Sequence, residues 1–446
     1  MASRKLRQDQ AKDALQEFLE LDRNALPNDP RIDEIVNGHM RELAAHLPRK
    51  DRERLPGVAV AVRKDMSSVH INCYGYANIE TGTKITVDTI FDLGSLSKQF
   101  TAVAILDLVN RQQLALTDPL SKFFNGFPRY ADDVTIEDLI HHTSALPEYW
   151  ELFVASRRAE KDWYEAAMSR SDEWYPHMTT RQKEFTNKDV MKWIATQTLL
   201  PRDPDTEFKY SNSGYVVLAE VVRKVARKRF ASVLKDKLFK QFGMDDTYVF
   251  DEISDFLENA PEVVNHARCY NRLSGNGFVP VGYTPLNFIT GDGNVHSTIV
   301  DMAIWEQLLN VLDDVANPAA AGGIRDCLWR PAQLKNRKRV NYGWGWHLLT
   351  DKYEGKARGN GVPTKYESRA EYHRGRWLAW RNHIARGSRW VIPRPGKKID
   401  PKTVESLGII VLGNNNQLNT CRIAQDISRV FWGPLKKDNI FNNFNC

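Results

Sequence analysis

The sequence predicts an α+β protein: one sheet built from both ends of the chain, interrupted by a largely helical insertion. Three observations carry this. Strand signals cluster in residues 57–76 and return in residues 342–412. Between about residue 116 and residue 288 the signals are mostly helical or loop-like. A long apolar run, Ala102–Val109, broken only by Asp107, opens the helical stretch.

The 446 residues suit one large domain or two interlocked ones, with ample length for a core. Hydrophobic content of 42% and charged content of 26% are ordinary for a soluble globular protein. The net charge, 62 − 56 = +6, is too mild to argue for a nucleic-acid partner, and no basic block stands out. Cys73, Cys269, Cys327, Cys421 and Cys446 are odd in number and scattered. That pattern favours reduced thiols in a cytoplasm over a disulfide framework or a zinc site. The polar N-terminus lacks the apolar core of a signal peptide, and no apolar stretch is long enough to span a membrane. The expected localisation is cytoplasmic.

Residues 1–28 read as a helical extension, with Leu6, Ala11, Leu15, Phe18 and Leu19 loosely helix-spaced, ended by Asn28-Asp29-Pro30. It can cap a lobe, support a homo-oligomer or stay without fixed structure; the residues do not choose. A helix follows, through Ile32, Ile35, Met40, Leu43 and Leu47. Pro56–Arg63 and His70–Tyr76 read as a hairpin across Asp65–Ser68. Asp88–Phe91 then leads into the apolar run, which is too long for an ordinary strand and has no Gly or Pro, so it reads as a buried helix. Thr135 caps the next helix in a near capping box with Asp138, and Tyr215–Ala226 and Met302–Leu312 are two more. Tyr342–Leu349 alternates as a strand does, Glu371–His383 follows, and Leu407–Leu412 is an unbroken apolar strand. Cys421–Trp432 closes the chain as a helix. Lys352–Ser368 and Arg389–Lys402, rich in Gly, Pro, Lys and Arg, read as surface loops.

The chemistry points to Ser95 and Lys98, three residues apart at the mouth of the buried helix, where Gly94 allows a sharp turn. A serine hydroxyl is a weak nucleophile that needs a neighbouring base, and a desolvated lysine can be that base. The N–H groups of a helix N-terminus suit an oxyanion. Tyr210 and Asn212 lie just before the Tyr215 helix. A tyrosine hydroxyl beside a lysine can shuttle a proton, and Asn212 can orient Lys98 or bind a substrate carbonyl. On the Glu371–His383 strand, Gly375 would let a substrate backbone approach closely, and the N–H of Arg376 could complete an oxyanion hole with that of Ser95. His373 could add a hydrogen bond or a charge. Arg374 and Arg376 share one side of a strand and could hold a substrate carboxylate. Trp150, Trp344, Trp346, Trp377 and Trp380 are candidates for an apolar cleft. Ile289–Thr298 lacks the spacing of a nucleotide loop. His141 and His142, without partners at ligand spacing, read as structural, and neither a metal nor a cofactor is called for.

The order Ser95-x-x-Lys98, Tyr210-x-Asn212, His373-x-Gly375 resembles the serine β-lactamase and D,D-peptidase superfamily, most nearly its class C-like branch of penicillin-binding-protein-like serine hydrolases and esterases. Phe91–Ala102, Leu116–Leu120, Thr135–Pro147, Phe208–Tyr215, Gly291–Trp305 and Asn341–Trp346 extend the likeness over about residues 30–434. The resemblance implies an antiparallel sheet of about five strands flanked by helices plus an all-helical lobe (β-lactamase/transpeptidase-like). Residues 29–92 with 291–446 would form the sheet lobe and 93–290 the helical lobe, with the active site between them. It implies acyl transfer through Ser95, with Lys98, Tyr210, Asn212 and His373 as catalytic residues, the N–H groups of Ser95 and Arg376 as oxyanion hole, and Gly375, Trp150, Arg374 and Trp377 against the substrate. The substrate would be a small ester, amide or peptide. An acyltransferase of the same fold, or a non-catalytic ligand sensor, is the alternative. His373-Arg374-Gly375 stands where penicillin-directed members carry Lys-Thr-Gly, which weakens a β-lactamase reading, and Ala145 and Ala379 stand where relatives carry Gly.

Overall fold

A computed structural model describes residues 25–150, 185–249, 265–272, 277–281, 288–312, 327–356, 363–391, 404–434, 439–444 and 446. The principal elements are helix α1 (Pro30–Ala45), strands β1 (Val58–Lys64) and β2 (Ser67–Tyr74), the two-residue strand β3 (Phe91–Asp92), and helices α2 (Lys98–Asn110), α3 (Ile136–Ile140), α4 (Asn187–Ile194) and α5 (Asn212–Ala226). Short strands β4 (Tyr248–Val249) and β5 (Val295–Ser297), helix α6 (Ile299–Leu312), strands β6 (His347–Lys356), β7 (Pro363–Trp377), β8 (Trp380–Val391) and β9 (Glu405–Gly413), and helix α7 (Thr420–Trp432) complete them.

Six strands make one sheet in the order β6-β7-β8-β9-β1-β2, with every neighbouring pair antiparallel. β1, from the start of the chain, lies against β9, from its end, with Val58 opposite Gly413 and Lys64 opposite Leu407. The run Val58-Ala59-Val60-Ala61-Val62 shows why both faces are covered. Val58, Val60 and Val62 pack with Ile32 and Val36 of α1 and Ile423 and Ile427 of α7. Ala59 and Ala61 face the larger core that holds α2, α5 and α6. Alternation of a strand puts successive residues on opposite faces, so an unbroken apolar run needs helices on both. The alanines leave room for α6, which crosses behind β1 and β9. There Glu306 of α6 receives a bidentate pair of bonds from Arg63 (2.6 and 2.8 Å), and Arg386 lies 3.5 Å away. Gly408 makes space for that carboxylate; a Cβ there would fall 2.3 Å from it.

Several expectations need correction. The sheet has six strands rather than five. Tyr342–Trp346 is not strand: Gly345 takes φ +81° against the backbone of Gln99, and Trp344 and Trp346 drive wholly into the core. Their alternation reflects packing against α2 rather than a pleat, and β6 begins only at His347. Neither tryptophan lines a cleft. The stretches read as surface loops are partly strand, since β6 and β7 run through Lys352–Lys356 and Pro363–Ser368, and β8 reaches Val391. β6 is an edge strand, where charged residues are at home, so composition misled. Residues 265–272 hydrogen-bond to Ala77 and Asn414 at the rim of the large sheet, and residues 277–281 pair with them, so this stretch joins the sheet rather than the expected helical lobe. Cys421 and Cys446 form a disulfide, against the expectation of reduced thiols. The chain end folds back across α7, burying Phe441 and Phe444, and no spacing in the sequence shows that. The cytoplasmic expectation loses the support it drew from unpaired thiols. Among the described residues no helix is long and apolar enough to cross a membrane.

At the start of the chain, residues 1–24 of the expected extension lie outside the described residues. Asp29 and Pro30 do more than end it: the Asp29 side chain accepts from the N–H of Arg31 and caps α1, with Pro30 at its first position.

Candidate active site

The nucleophile segment is a tight turn, Gly94–Ser97, that feeds directly into α2. Gly94 has φ +52°, and a Cβ on it would sit 3.0 Å from the backbone nitrogen of Arg376. Glycine is required on both counts. Ser95 lies in the turn just ahead of the helix, and Lys98 is the helix's first residue. The three-residue step still brings Lys98 Nζ to 3.1 Å from Ser95 Oγ.

Lys98 is wholly buried. Its Nζ also lies 2.8 Å from Asn212 Oδ1 and 2.8 Å from the carbonyl oxygen of Asp292. Both are pure acceptors in this arrangement. Were the amine neutral, its two protons could serve these two acceptors and its lone pair could take the Ser95 proton. That is the geometry a general base needs. Each partner is itself held. Asn212 opens α5, whose N-cap Ser211 accepts from the N–H of Gly214 (3.3 Å), and the Asn212 N–H donates to Glu148 Oε2 (3.1 Å). The loop carrying Asp292 is clamped to α2: Thr101 Oγ1 donates to the Gly291 carbonyl (2.7 Å), and Ser97 Oγ accepts from the Val295 N–H (3.0 Å).

Tyr210 joins the cluster through its ring. Lys98 Nζ lies 5.0 Å from the ring centroid, while the buried Tyr210 hydroxyl has no hydrogen-bond partner among the described residues. His142 packs against that ring with centroids 4.3 Å apart and accepts the Ser211 N–H through Nδ1 (3.0 Å). His373 packs behind, 6.0 Å from Tyr210. Its Nδ1 can only donate to the Arg374 carbonyl (2.9 Å), so Nε2 accepts from the Tyr342 hydroxyl (3.2 Å).

The remaining wall is the sheet edge. β6 pairs with β7 only as far as Tyr372, so residues 373–377 of β7 run past it and face the serine turn instead. Gly375 touches that turn: a Cβ would fall 2.0 Å from the Leu93 carbonyl. This settles the faces of β7. Tyr372 and Arg374 lie on the opposite side, where Arg374 is cross-strand from His383, and Tyr372 packs on Phe444. Arg374 therefore does not face the cleft, a correction to its place among the substrate-binding residues. An open cavity of about 570 Å³ is lined by Ser95, Asn212, Tyr149, Trp150, Arg376 and Trp377, together with Asp92 and Asp292. The rings of Trp150 and Trp377 meet at 5.7 Å, whereas Trp380 is core, against Phe91.

Residues 32–427 match the model of the Beta-lactamase family. The chain belongs to that family. A penicillin-binding protein of Bacillus subtilis is 28% identical over 293 residues, 64% of this chain and 57% of that protein. A D-aminopeptidase of Brucella anthropi is 25% identical over 309 residues, 68% of this chain and 50% of that enzyme. The chain thus spans about half the length of these relatives. The octameric penicillin-binding protein homologue from Pyrococcus abyssi shares the fold with a TM-score of 0.61 at 22% identity, over 92% of this chain and 79% of that one.

Within this family fold the electrostatics depart from what the third motif suggested. Burial pushes His373 and His142 well below the ordinary histidine range, so both are neutral and His373 offers no charge. Burial pushes Asp92 up to about 7, and raises Asp292 and Glu148 as well. Tyr149, raised by burial, donates its hydroxyl to Asp292 Oδ2 (3.0 Å). Ala145 has φ +58°, a left-handed backbone that explains glycine in relatives, while Ala379 sits buried in the β7–β8 turn.

Sequence reasoning missed His142, Tyr149 and Asp292. The signal for Asp292 was available in Gly291-Asp292-Gly293, a glycine-flanked acid in a turn; Gly291 at φ +103° packs where a Cβ would fall 2.3 Å from the Tyr215 carbonyl. The sequence analysis excludes a nucleotide loop there and counts the stretch in the resemblance, but gives Asp292 no part in the site.

Proposed function

We propose that this chain is a serine hydrolase acting through an acyl-enzyme on ester or amide bonds of small, peptide-like substrates. The observation that carries this is Lys98, buried, with two acceptors fixed and its third position on Ser95 Oγ. Ser95 Oγ attacks the carbonyl carbon and its proton passes to Lys98 Nζ. The N–H groups of Ser95 and Arg376 hold the oxyanion. Lys98 returns the proton to the leaving alkoxide or amine as the C–O or C–N bond breaks. Water, deprotonated by Lys98, then releases the acid and frees Ser95. Asn212 positions Lys98, and Tyr210 shields it with its ring. Relatives named as a penicillin-binding protein and a D-aminopeptidase support amide or peptide chemistry.

The test is turnover by wild type and Ser95→Ala of p-nitrophenyl butyrate, an amino-acid p-nitroanilide and a penicillin. Release from the ester or anilide that falls at least about 10³-fold in Ser95→Ala supports the reading. Equal release by both proteins refutes it. A stable wild-type adduct without release would make the chain an acyltransferase or a covalent sensor.

A further inference from the structure

A second cavity lies among the helices, apart from the one at Ser95. It is an open groove of about 1480 Å³, against about 570 Å³ at Ser95. One face of α4 lines it with Lys188, Met191 and Lys192, spaced i, i+3 and i+4. The last turns of α5 line it with Glu220, Arg223 and Lys224 in the same spacing. Phe124 and Phe127, with ring centroids 5.6 Å apart, and the buried Phe230 give it an apolar wall. One loop borders both cavities: Phe288 and Thr290 line the groove, while Ile289 and Asp292 line the cavity at Ser95. Ser95 and Asn212 do not line the groove.

The charges of this groove do not cancel. Glu220 is taken by Arg223 (2.7 Å). Asp189, the acid between the two lysines of α4, accepts from the N–H and hydroxyl of Thr186 (3.1 and 3.0 Å) and so closes the start of its own helix. Among the described residues Lys188, Lys192 and Lys224 have no acidic partner. Lys224 Nζ lies over the Phe124 ring instead, 5.1 Å from its centroid. Lys188 and Lys192, one turn apart, repel each other. All three lysines are exposed, so the charge sits at the rim and the rings below it. A bare anion would satisfy the lysines and leave the rings in water; a neutral apolar molecule would cover the rings and leave the lysines unpaired. An acidic head on an apolar body meets both.

We infer that the groove between α4 and α5 binds a small amphiphilic anion, of the class of a medium-chain carboxylate. Lys188, Lys192 and Lys224 receive the head, and Phe124, Phe127 and Phe230 the chain. The groove is large enough, since sites for small molecules commonly measure roughly 300–1,000 Å³. This ligand is not the substrate of Ser95, and its binding does not rest on the acyl-enzyme reading.

The test is calorimetric titration of the full-length protein with decanoate, with decyltrimethylammonium (the same chain under a cation) and with acetate (the same head without a chain), all below micelle formation. Expected is binding of decanoate at least about tenfold tighter than of either control. The double variant Lys192→Glu with Lys224→Glu, both on exposed side chains, should weaken decanoate by at least about tenfold while thermal melting shows the fold kept. No binding of decanoate, equal binding of the cationic chain, or acetate binding as tightly as decanoate overturns the inference, and none of these needs a variant to fold. Decanoate binding that survives unchanged in the folded double variant also overturns it. Titration is repeated after fluorophosphonate treatment. Binding abolished by an adduct on Ser95 would put decanoate in the other cavity and overturn the groove; binding that persists beside the adduct supports it. Failure of Ser95 to label would remove the hydrolase reading and leave the groove to be judged by the lysine variant.

Discussion

Gly375→Ala should disable the site without touching a functional group. The added Cβ would fall 2.0 Å from the Leu93 carbonyl oxygen and 3.1 Å from Leu96 Cγ. Real Cβ atoms stay about 3.0 Å or more from such atoms, so the strand and the turn must part by roughly 1 Å. Neither side yields easily. Leu93 is tied to β5 by its N–H to the Val295 carbonyl (2.9 Å), and β7 is paired with β8 all along this stretch. The separation therefore opens between Ser95 and the main chain of Arg376. Misplacement by about 1 Å can cost roughly 10² in rate, and loss of one oxyanion donor roughly 10²–10³. Overpacking should cost about 1–3 kcal/mol of stability. The assay is the second-order rate of fluorophosphonate labelling, with thermal unfolding to confirm the fold. A fall of about 10²-fold is expected. Gly38→Ala on α1, whose Cβ would come no nearer than 3.9 Å to the Arg41 guanidinium, should leave labelling unchanged. Folded Gly375→Ala that labels within about threefold of wild type would refute the oxyanion role of this edge.

Other predictions follow from burial and charge. Asp92 has its folded pKa raised from 3.8 to about 7, chiefly by burial and then by Asp292. Between those pH values the unfolded chain is ionised there and the folded chain is protonated, so its contribution to stability falls as pH rises from about 4 to 7. Asp92→Asn should therefore gain stability over wild type at pH 8 more than at pH 5, read from paired melting curves; an equal difference at both would contradict the burial argument. In Glu306→Ala two guanidiniums, Arg63 and Arg386, are left buried without their carboxylate. About 3–5 kcal/mol should be lost in urea unfolding; a loss under about 1 kcal/mol would show that the network is dispensable. Disulfide reduction should loosen the end of the chain around α7 while labelling of Ser95 persists, because Cys421, the partner of Cys446, belongs to the cluster on the far face of the sheet; parallel loss of labelling would tie that end to the site.

The parts of this fold set by local pattern were legible in the residues. The β1–β2 hairpin, α2, α5, α6, β9 and α7 each announced themselves by apolar periodicity or caps, and the three-residue step from Ser95 to Lys98 suggested the 3.1 Å approach of their side chains. What failed depended on which neighbour a segment meets. Strand parity put Arg374 and Arg376 on one side, but only the approach of Gly375 to Leu93 tells which side is the cleft. A glycine demanded by close approach implies that the residues next to it point away, an inference open to the sequence and not drawn. The alternation of Tyr342–Trp346 mimics a strand because Trp344 and Trp346 both turn inward around Gly345. The Cys421–Cys446 pair and the Asp292 loop are joined to their partners by tertiary folding alone, across 25 residues in one case and to Lys98, 194 residues away, in the other.

The most direct measurement is the site and rate of covalent labelling by a fluorophosphonate in wild type, Ser95→Ala and Lys98→Met, read by intact mass and peptide mapping. Expected is one phosphonyl adduct on Ser95 in wild type, none in Ser95→Ala, and labelling slowed by about 10²–10⁴ in Lys98→Met, the span a positioned general base contributes. Labelling of another residue, or equal rates in all three proteins, would contradict the assignment of Ser95 as a nucleophile activated by Lys98.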